Sequence, residues 1–109
     1  MKVLEPGHIY KLEHLDGNRS ESLVFVNRGH GTDYEGTNNQ EVLRVLIDRV
    51  NFLENELHWQ GNEQIIFHLR MALVLHEARH LERLVIKDQL KPEEIQTGLD
   101  GHFSLITQE

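Results

Sequence analysis

The segment from Thr37 to Val85 constrains this chain most, because it holds two long runs of helical spacing separated by a very short break. In the first run apolar residues fall at Val42, Leu43, Leu46, Val50, Leu53 and Leu57, so they share one side of a helix. Thr37-Asn38-Asn39-Gln40 places a hydroxyl three residues ahead of a glutamine, which is a capping-box pattern. A first helix is therefore predicted over about 39–57. His58-Trp59-Gln60-Gly61-Asn62 interrupts the period, and Asn62 suits the N-cap of the next helix. So short a connection returns that helix antiparallel, and it is predicted over about 63–85. Its stripe begins at Ile65, Ile66, Leu69, Ala72 and Leu73, but the same spacing then lands on His76, Arg79, His80 and Arg83. A seam that turns polar halfway is either a helix leaving its core for water or one side of a pocket or oligomer interface.

Ahead of the helices, His8 to Leu15 alternates after Pro6-Gly7, with Tyr10 and Leu12 on one face and Lys11 and Glu13 on the other. Asp16-Gly17-Asn18 turns the chain, and the β-branched and aromatic run Ser22-Leu23-Val24-Phe25-Val26 reads as the return strand, closed by Arg28. Gly29 to Gly36 is glycine-rich and polar, a candidate ordered binding loop. Beyond the helices, Lys91-Pro92-Glu93-Glu94 is expected to start a short helical turn, and His102 to Ile106 is expected to add a last strand to the hairpin. The predicted fold class is α+β in a single domain over 1–109. It has an N-terminal β-hairpin (8–28), an antiparallel two-helix hairpin (37–85) and a C-terminal extension (86–109) with a short strand at 102–106.

At 109 residues one hydrophobic core is workable but not generous, so self-association is expected. Eleven Lys and Arg against 18 Asp and Glu give a formal charge of -7, which disfavours a polyanionic duplex and excludes long nucleic acid as the expected partner. A small phosphorylated ligand is still compatible, because clustered arginines outweigh diffuse charge beyond a Debye length of about 10 Å. The chain has no cysteine, hence no disulfide framework, no thiolate metal site and no cysteine nucleophile, and an intracellular address follows. The first residues carry no apolar leader, and no run approaches the roughly 18 apolar residues of a membrane helix, so a soluble, unprocessed protein with no membrane partner is expected.

Two constellations bear on chemistry. His76-Glu77-Ala78-Arg79-His80 matches H-E-x-x-H, in which two histidines one helical turn apart hold zinc and the glutamate activates a bound water. Against a small zinc metallopeptidase stand Arg79, a cation between the two would-be ligands, and the want of a recognisable third ligand among Glu93, Glu94, Asp100 and His102. The other reading is two polar residues on a solvated or interfacial turn.

The second constellation comprises Phe52, Asn62, Arg79 and Arg83. Arg79 and Arg83, four apart, share a helix face and can present two guanidinium forks to phosphate. A helix N-terminus near Asn62 offers N–H groups to an anion, and Phe52 or Trp59 offers a face for a base. In the plainer reading Asn62 is a cap, Phe52 is core and the arginines pair with Glu77 or Glu82. Asn62 and Arg79 are 17 residues apart, about 25 Å along one helix, so they belong to two sites or meet across an antiparallel dimer.

The runs Glu41–Leu57 (EVLRVLIDRVNFLENEL) and Asn62–Arg79 (NEQIIFHLRMALVLHEAR) resemble the helical-hairpin domain shared by the Thoeris anti-defence sponges and the anti-CBASS cyclic-nucleotide sponges of phages. Tyr10–Asn18 (YKLEHLDGN), Leu23–Arg28 (LVFVNR) and Asp100–Phe103 (DGHF) resemble the former group in particular. The resemblance implies a protein without catalytic residues or cofactors. It would sequester cyclic ADP-ribose isomers made by Thoeris TIR proteins, and in some relatives cyclic di- and trinucleotides, in the cytoplasm of the infected bacterial host. It also implies homo-oligomers, dimers or hexamers built as trimers of dimers, with pockets between subunits. Carried over by motif, Phe52 lines and Asn62 bonds the ADP-ribose pocket, while Arg28, Arg79 and Arg83 belong to a more basic pocket for cyclic trinucleotides. His58-Trp59-Gln60-Gly61 departs from the smaller turn common in relatives, which sets Trp59 to add a stacking face or narrow the entrance. A third class of function, a helical module that binds a host protein, would require neither Asn62 nor Arg79.

Overall fold

A computed structural model describes residues 1–28, 33, 35–86, 95–97 and 103–105. Its elements run β1 (Lys2–Glu5), β2 (Ile9–Glu13), β3 (Ser20–Val24), α1 (Asn39–Glu56), α2 (Gly61–Ile86), β4 (Ile95–Thr97) and β5 (Phe103–Leu105). This is the α+β architecture expected of the sequence. The chain divides into two compact units, Met1–Asn39 and Gln40–Glu109.

In the first unit, β1, β2 and β3 form an antiparallel sheet in that order. The second strand of the expected hairpin begins two residues earlier than Ser22, because Ser20 pairs with Glu13 and Glu21 with Leu12. The strand β1 was not foreseen, although Pro6-Gly7 carries its signal. Gly7 has φ of 79°, and His8 N–H donates to the Glu5 carbonyl at 3.0 Å, so Glu5 to His8 makes a type II turn. That turn folds Lys2–Glu5 back along β2, with a register shift between Val3 and Glu5. All four residues of β1 are exposed, so no alternation marked them. The packed end of the sheet lies around Tyr10 and Phe25, whose rings meet edge to face with centroids 5.9 Å apart. Leu12, by contrast, is exposed.

The chain then comes back to the sheet before entering α1. Thr37 N–H donates to the Val24 carbonyl at 2.8 Å and its carbonyl accepts from Val26 N–H at 2.9 Å. Gly36 makes this approach feasible, since a Cβ there would stand 2.5 Å from the Val24 carbonyl oxygen. This corrects the capping-box expectation: the first helical residue is Asn39, so Asn38 stands at the cap and the backbone of Thr37 extends the sheet. Of the expected binding loop over 29–36, residues 29–32 and 34 lie outside the described residues.

The second unit holds the helical hairpin. Links between Arg44 and Glu77 and between Glu54 and Asn62 show the helices running side by side in opposite directions. Leu43, Ile47 and Val50 of α1 and Ile66, Leu69 and Leu73 of α2 are among the shielded apolar positions, and Leu73 is the most buried at 1% exposure. The expected N-cap at Asn62 is corrected, because α2 starts at Gly61 and Asn62 lies inside its first turn. The final strand is corrected as well. β5 pairs with β4 in a separate two-stranded sheet and does not join the N-terminal hairpin. The helical turn expected at Lys91–Glu94 lies outside the described residues.

Candidate functional site

Three features of the helical hairpin present groups that its own packing does not use. The first is the turn. The Glu54 carboxylate accepts from the Asn62 side-chain Nδ2 at 2.7 Å, from the Trp59 backbone N–H at 3.3 Å and hydrogen-bonds to His58 Nδ1. Donors on three sides stabilise the charged form. The Asn62 amide foremost, then His58, hold the Glu54 carboxyl below its ordinary value. Asn62 is 9% exposed. The Trp59 indole lies against Gly61, where a Cβ would sit 2.2 Å from the ring, so this departure from the smaller turn of the resembling proteins packs on the first residue of α2. Phe52 is exposed, and standing two residues before Glu54 it points about 160° away around α1. Phe52 and Asn62 thus occupy one end of the hairpin but different faces of it.

The second feature lies at the other end. Glu77, buried at 7% exposure, pairs with Arg44 of α1. The plainer sequence reading gave Glu77 to Arg79 or Arg83; the tertiary fold gives it to the opposite helix. Arg79 and Arg83 are exposed, one helical turn apart on the same side of α2, and neither forms an ion pair among the described residues. Two adjacent guanidinium groups without an acid partner form a ready anion clamp. Because α2 is one continuous helix, the separation of about 25 Å from Asn62 stands, and the two ends do not share one pocket within a chain. Arg28 follows the sheet of the other unit and is exposed.

The same pair bears on the H-E-x-x-H string. His76 is half-buried and His80 exposed, while the glutamate that would activate water is engaged by a guanidinium. No group of three or more metal-capable side chains occurs among the described residues, and Glu93, Glu94, Asp100 and His102 lie outside them.

The third feature is apolar and was only partly visible in the sequence. The stripe Leu43, Leu46, Val50 and Leu53 of α1, continued by Leu57 just beyond it, alternates steps of three and four, the spacing of a coiled-coil seam. Inside the hairpin it is half used: Leu43 and Val50 are shielded, whereas Leu46, Leu53 and Leu57 are exposed. On α2 a second row, Phe67, Met71 and Leu75, lies roughly opposite Leu73 and is 56%, 46% and 67% exposed. A helix apolar on both sides is ordinarily covered on both. The row lies outside the stripe through Ile66, Leu69 and Leu73, so the helical spacing of that stripe does not mark it.

A groove of ≈ 260 Å³ runs between the helices beside Asn51, Glu63, Ile66, Phe67 and Arg70. No described helix is long and apolar enough to cross a membrane. Fold and side chains together define an α+β protein whose helical hairpin carries an amide bonded to a carboxylate at one end, two arginines without an ion-pair partner among the described residues at the other, and exposed apolar rows between. No protein-family model, curated protein or solved structure matches the chain.

Proposed function

We propose that this chain is an anti-defence sponge: a phage protein that captures cyclic nucleotide immune signals in the cytoplasm of an infected bacterium and releases them chemically unchanged. Its ligands are cyclic ADP-ribose isomers near Phe52 and Asn62, and cyclic di- and trinucleotides at a basic site containing Arg79 and Arg83. The observation that carries this reading is the capture of Glu77 by Arg44, which leaves Arg79 and Arg83 together, exposed and without an acid partner among the described residues. Such a clamp suits phosphate oxygens and performs no bond cleavage by itself.

Self-association supports the same reading. Leu46, Leu53, Phe67, Met71 and Leu75 offer apolar surface to further copies. A heptad-spaced row favours a helix as the neighbour. A dimer, or a hexamer of three dimers, would place opposite ends of different hairpins together. A sponge acts stoichiometrically, so its pockets must bind tightly and be pre-formed, which rigid helices favour.

The test is to incubate the full chain with a cyclic ADP-ribose isomer, remove free ligand, heat-denature the complex and chromatograph what is released. Unchanged ligand in near-stoichiometric amount is the expected result. Recovery of a cleaved nucleotide would make the protein an enzyme, and recovery of nothing would favour a module that binds a host protein.

A further inference from the structure

We infer that the groove between the two helices binds a small aromatic amine that carries an anionic group, held with its ring on Phe67, its amine at Glu63 and its anion at Arg70. This goes beyond the sponge reading and does not rest on it.

The groove takes its walls from both helices, Asn51 from α1 and Glu63, Ile66, Phe67 and Arg70 from α2. Polar groups that face each other elsewhere in the hairpin are spent on one another, Arg44 with Glu77 and Glu54 with Asn62. Asn51, Glu63 and Arg70 differ. None of the three side chains forms an ion pair or hydrogen bond among the described residues. Asparagine is a poor helix former, yet Asn51 stands inside α1, half-buried, with no internal bond to offset that cost. Its amide is left to donate to and accept from whatever lies in the groove.

The order of groups along α2 sets the shape of the ligand. Glu63 and Arg70 are two helical turns apart, about 10 Å along the axis, and their opposite charges do not meet. Phe67 stands between them on the same side of the helix. Its ring is exposed, and with half-buried Ile66 it supplies the apolar wall. A carboxylate takes a hydrogen-bond donor, a guanidinium takes an anion, and an aromatic ring stacks on a ring. A ligand that satisfies all three carries its donor and its anion at opposite ends of a flat apolar body. An α-amino acid, with both charges on one carbon, does not span that gap. The volume of ≈ 260 Å³ falls just below the roughly 300–1,000 Å³ of sites for drug-sized molecules, which limits the body to one or two rings.

The experiment titrates the isotope-labelled full-length chain with 4-aminobenzoate, benzoate and aniline, following the Asn51 side-chain amide and the Ile66 methyl groups by NMR. 4-Aminobenzoate should shift both signals and bind about tenfold more tightly than benzoate, which lacks the amine, or aniline, which lacks the anion. Arg70→Ala should erase the preference over aniline while leaving aniline itself unaffected. Glu63→Ala should erase the preference over benzoate. Arg49→Ala removes an exposed positive charge that does not line the groove, and should keep both preferences. Unmoved Asn51 and Ile66 signals, equal affinity for the three molecules, or a preference that survives its matching substitution overturns the site. Glu63 and Arg70 are exposed and alanine favours a helix, so both variants should keep their helical circular dichroism. Should one lose it, the other decides alone.

Discussion

Arg44, early in α1, reaches across the hairpin to Glu77, late in α2, and closes the far end of the helix pair with an ion pair in which the carboxylate is buried. Removing the guanidinium would strand a buried charge. Arg44→Ala is expected to cost about 1–3 kcal/mol, a discount on the roughly 3–5 kcal/mol of a fully buried pair because Arg44 is partly exposed. Urea denaturation followed by helical circular dichroism measures it, and an unchanged midpoint would remove the pair from any structural role.

The same pair makes Glu77→Gln a change of stability and not of metal chemistry. Purified protein is expected to carry far less than one zinc per chain, and a chelator should leave its melting temperature in place. Stoichiometric zinc in elemental analysis, retained in Glu77→Gln, would revive the H-E-x-x-H reading of His76 and His80.

At the turn, the depressed pKa of Glu54 couples folding to pH. Because the folded value lies below the ordinary 4.5, the contribution is fully present above that pH and is lost as pH falls through the folded value. The helical unit should therefore lose stability as pH falls below about 4.5, and Glu54→Gln should show a smaller acid-induced loss over the same range. Identical pH–stability curves for the two proteins would contradict the assignment of Glu54 as the coupled group.

Arg79→Ala and Arg83→Ala should each weaken cyclic trinucleotide binding by roughly 10- to 100-fold, the range of a lost charge-assisted hydrogen bond. Neither should shift the melting temperature appreciably, since both side chains are exposed and lack ion-pair partners among the described residues. Calorimetric titration beside thermal melts separates the two effects. Equal loss of binding and of stability would indicate a folding role.

Leu53→Glu places a charge on the half-used heptad row without entering the hairpin core. Sedimentation velocity should then show smaller assemblies than the wild type, with helical content kept. An unchanged distribution would locate self-association on another surface.

The sequence by itself determined the elements whose signals are local. Helical spacing and a five-residue break specified two antiparallel helices, and Asp16-Gly17-Asn18 specified the turn between β2 and β3, because period and turn chemistry act over a few residues. The β1 strand escaped notice although Pro6-Gly7 announced its turn, since a strand exposed along its whole length carries no alternation to read. What only the tertiary structure decided was the partnership of polar side chains. Glu77 could have paired along its own helix with Arg79 or Arg83, and the packing of α1 beside α2 gave it to Arg44 instead, 33 residues away. Likewise Asn62 reads as a helix cap by position, yet the return of the chain after Trp59 brings it to Glu54. Propensity and period describe what a segment does alone, whereas a hydrogen bond between helices depends on where packing sets two backbones, and no single window of sequence contains that distance.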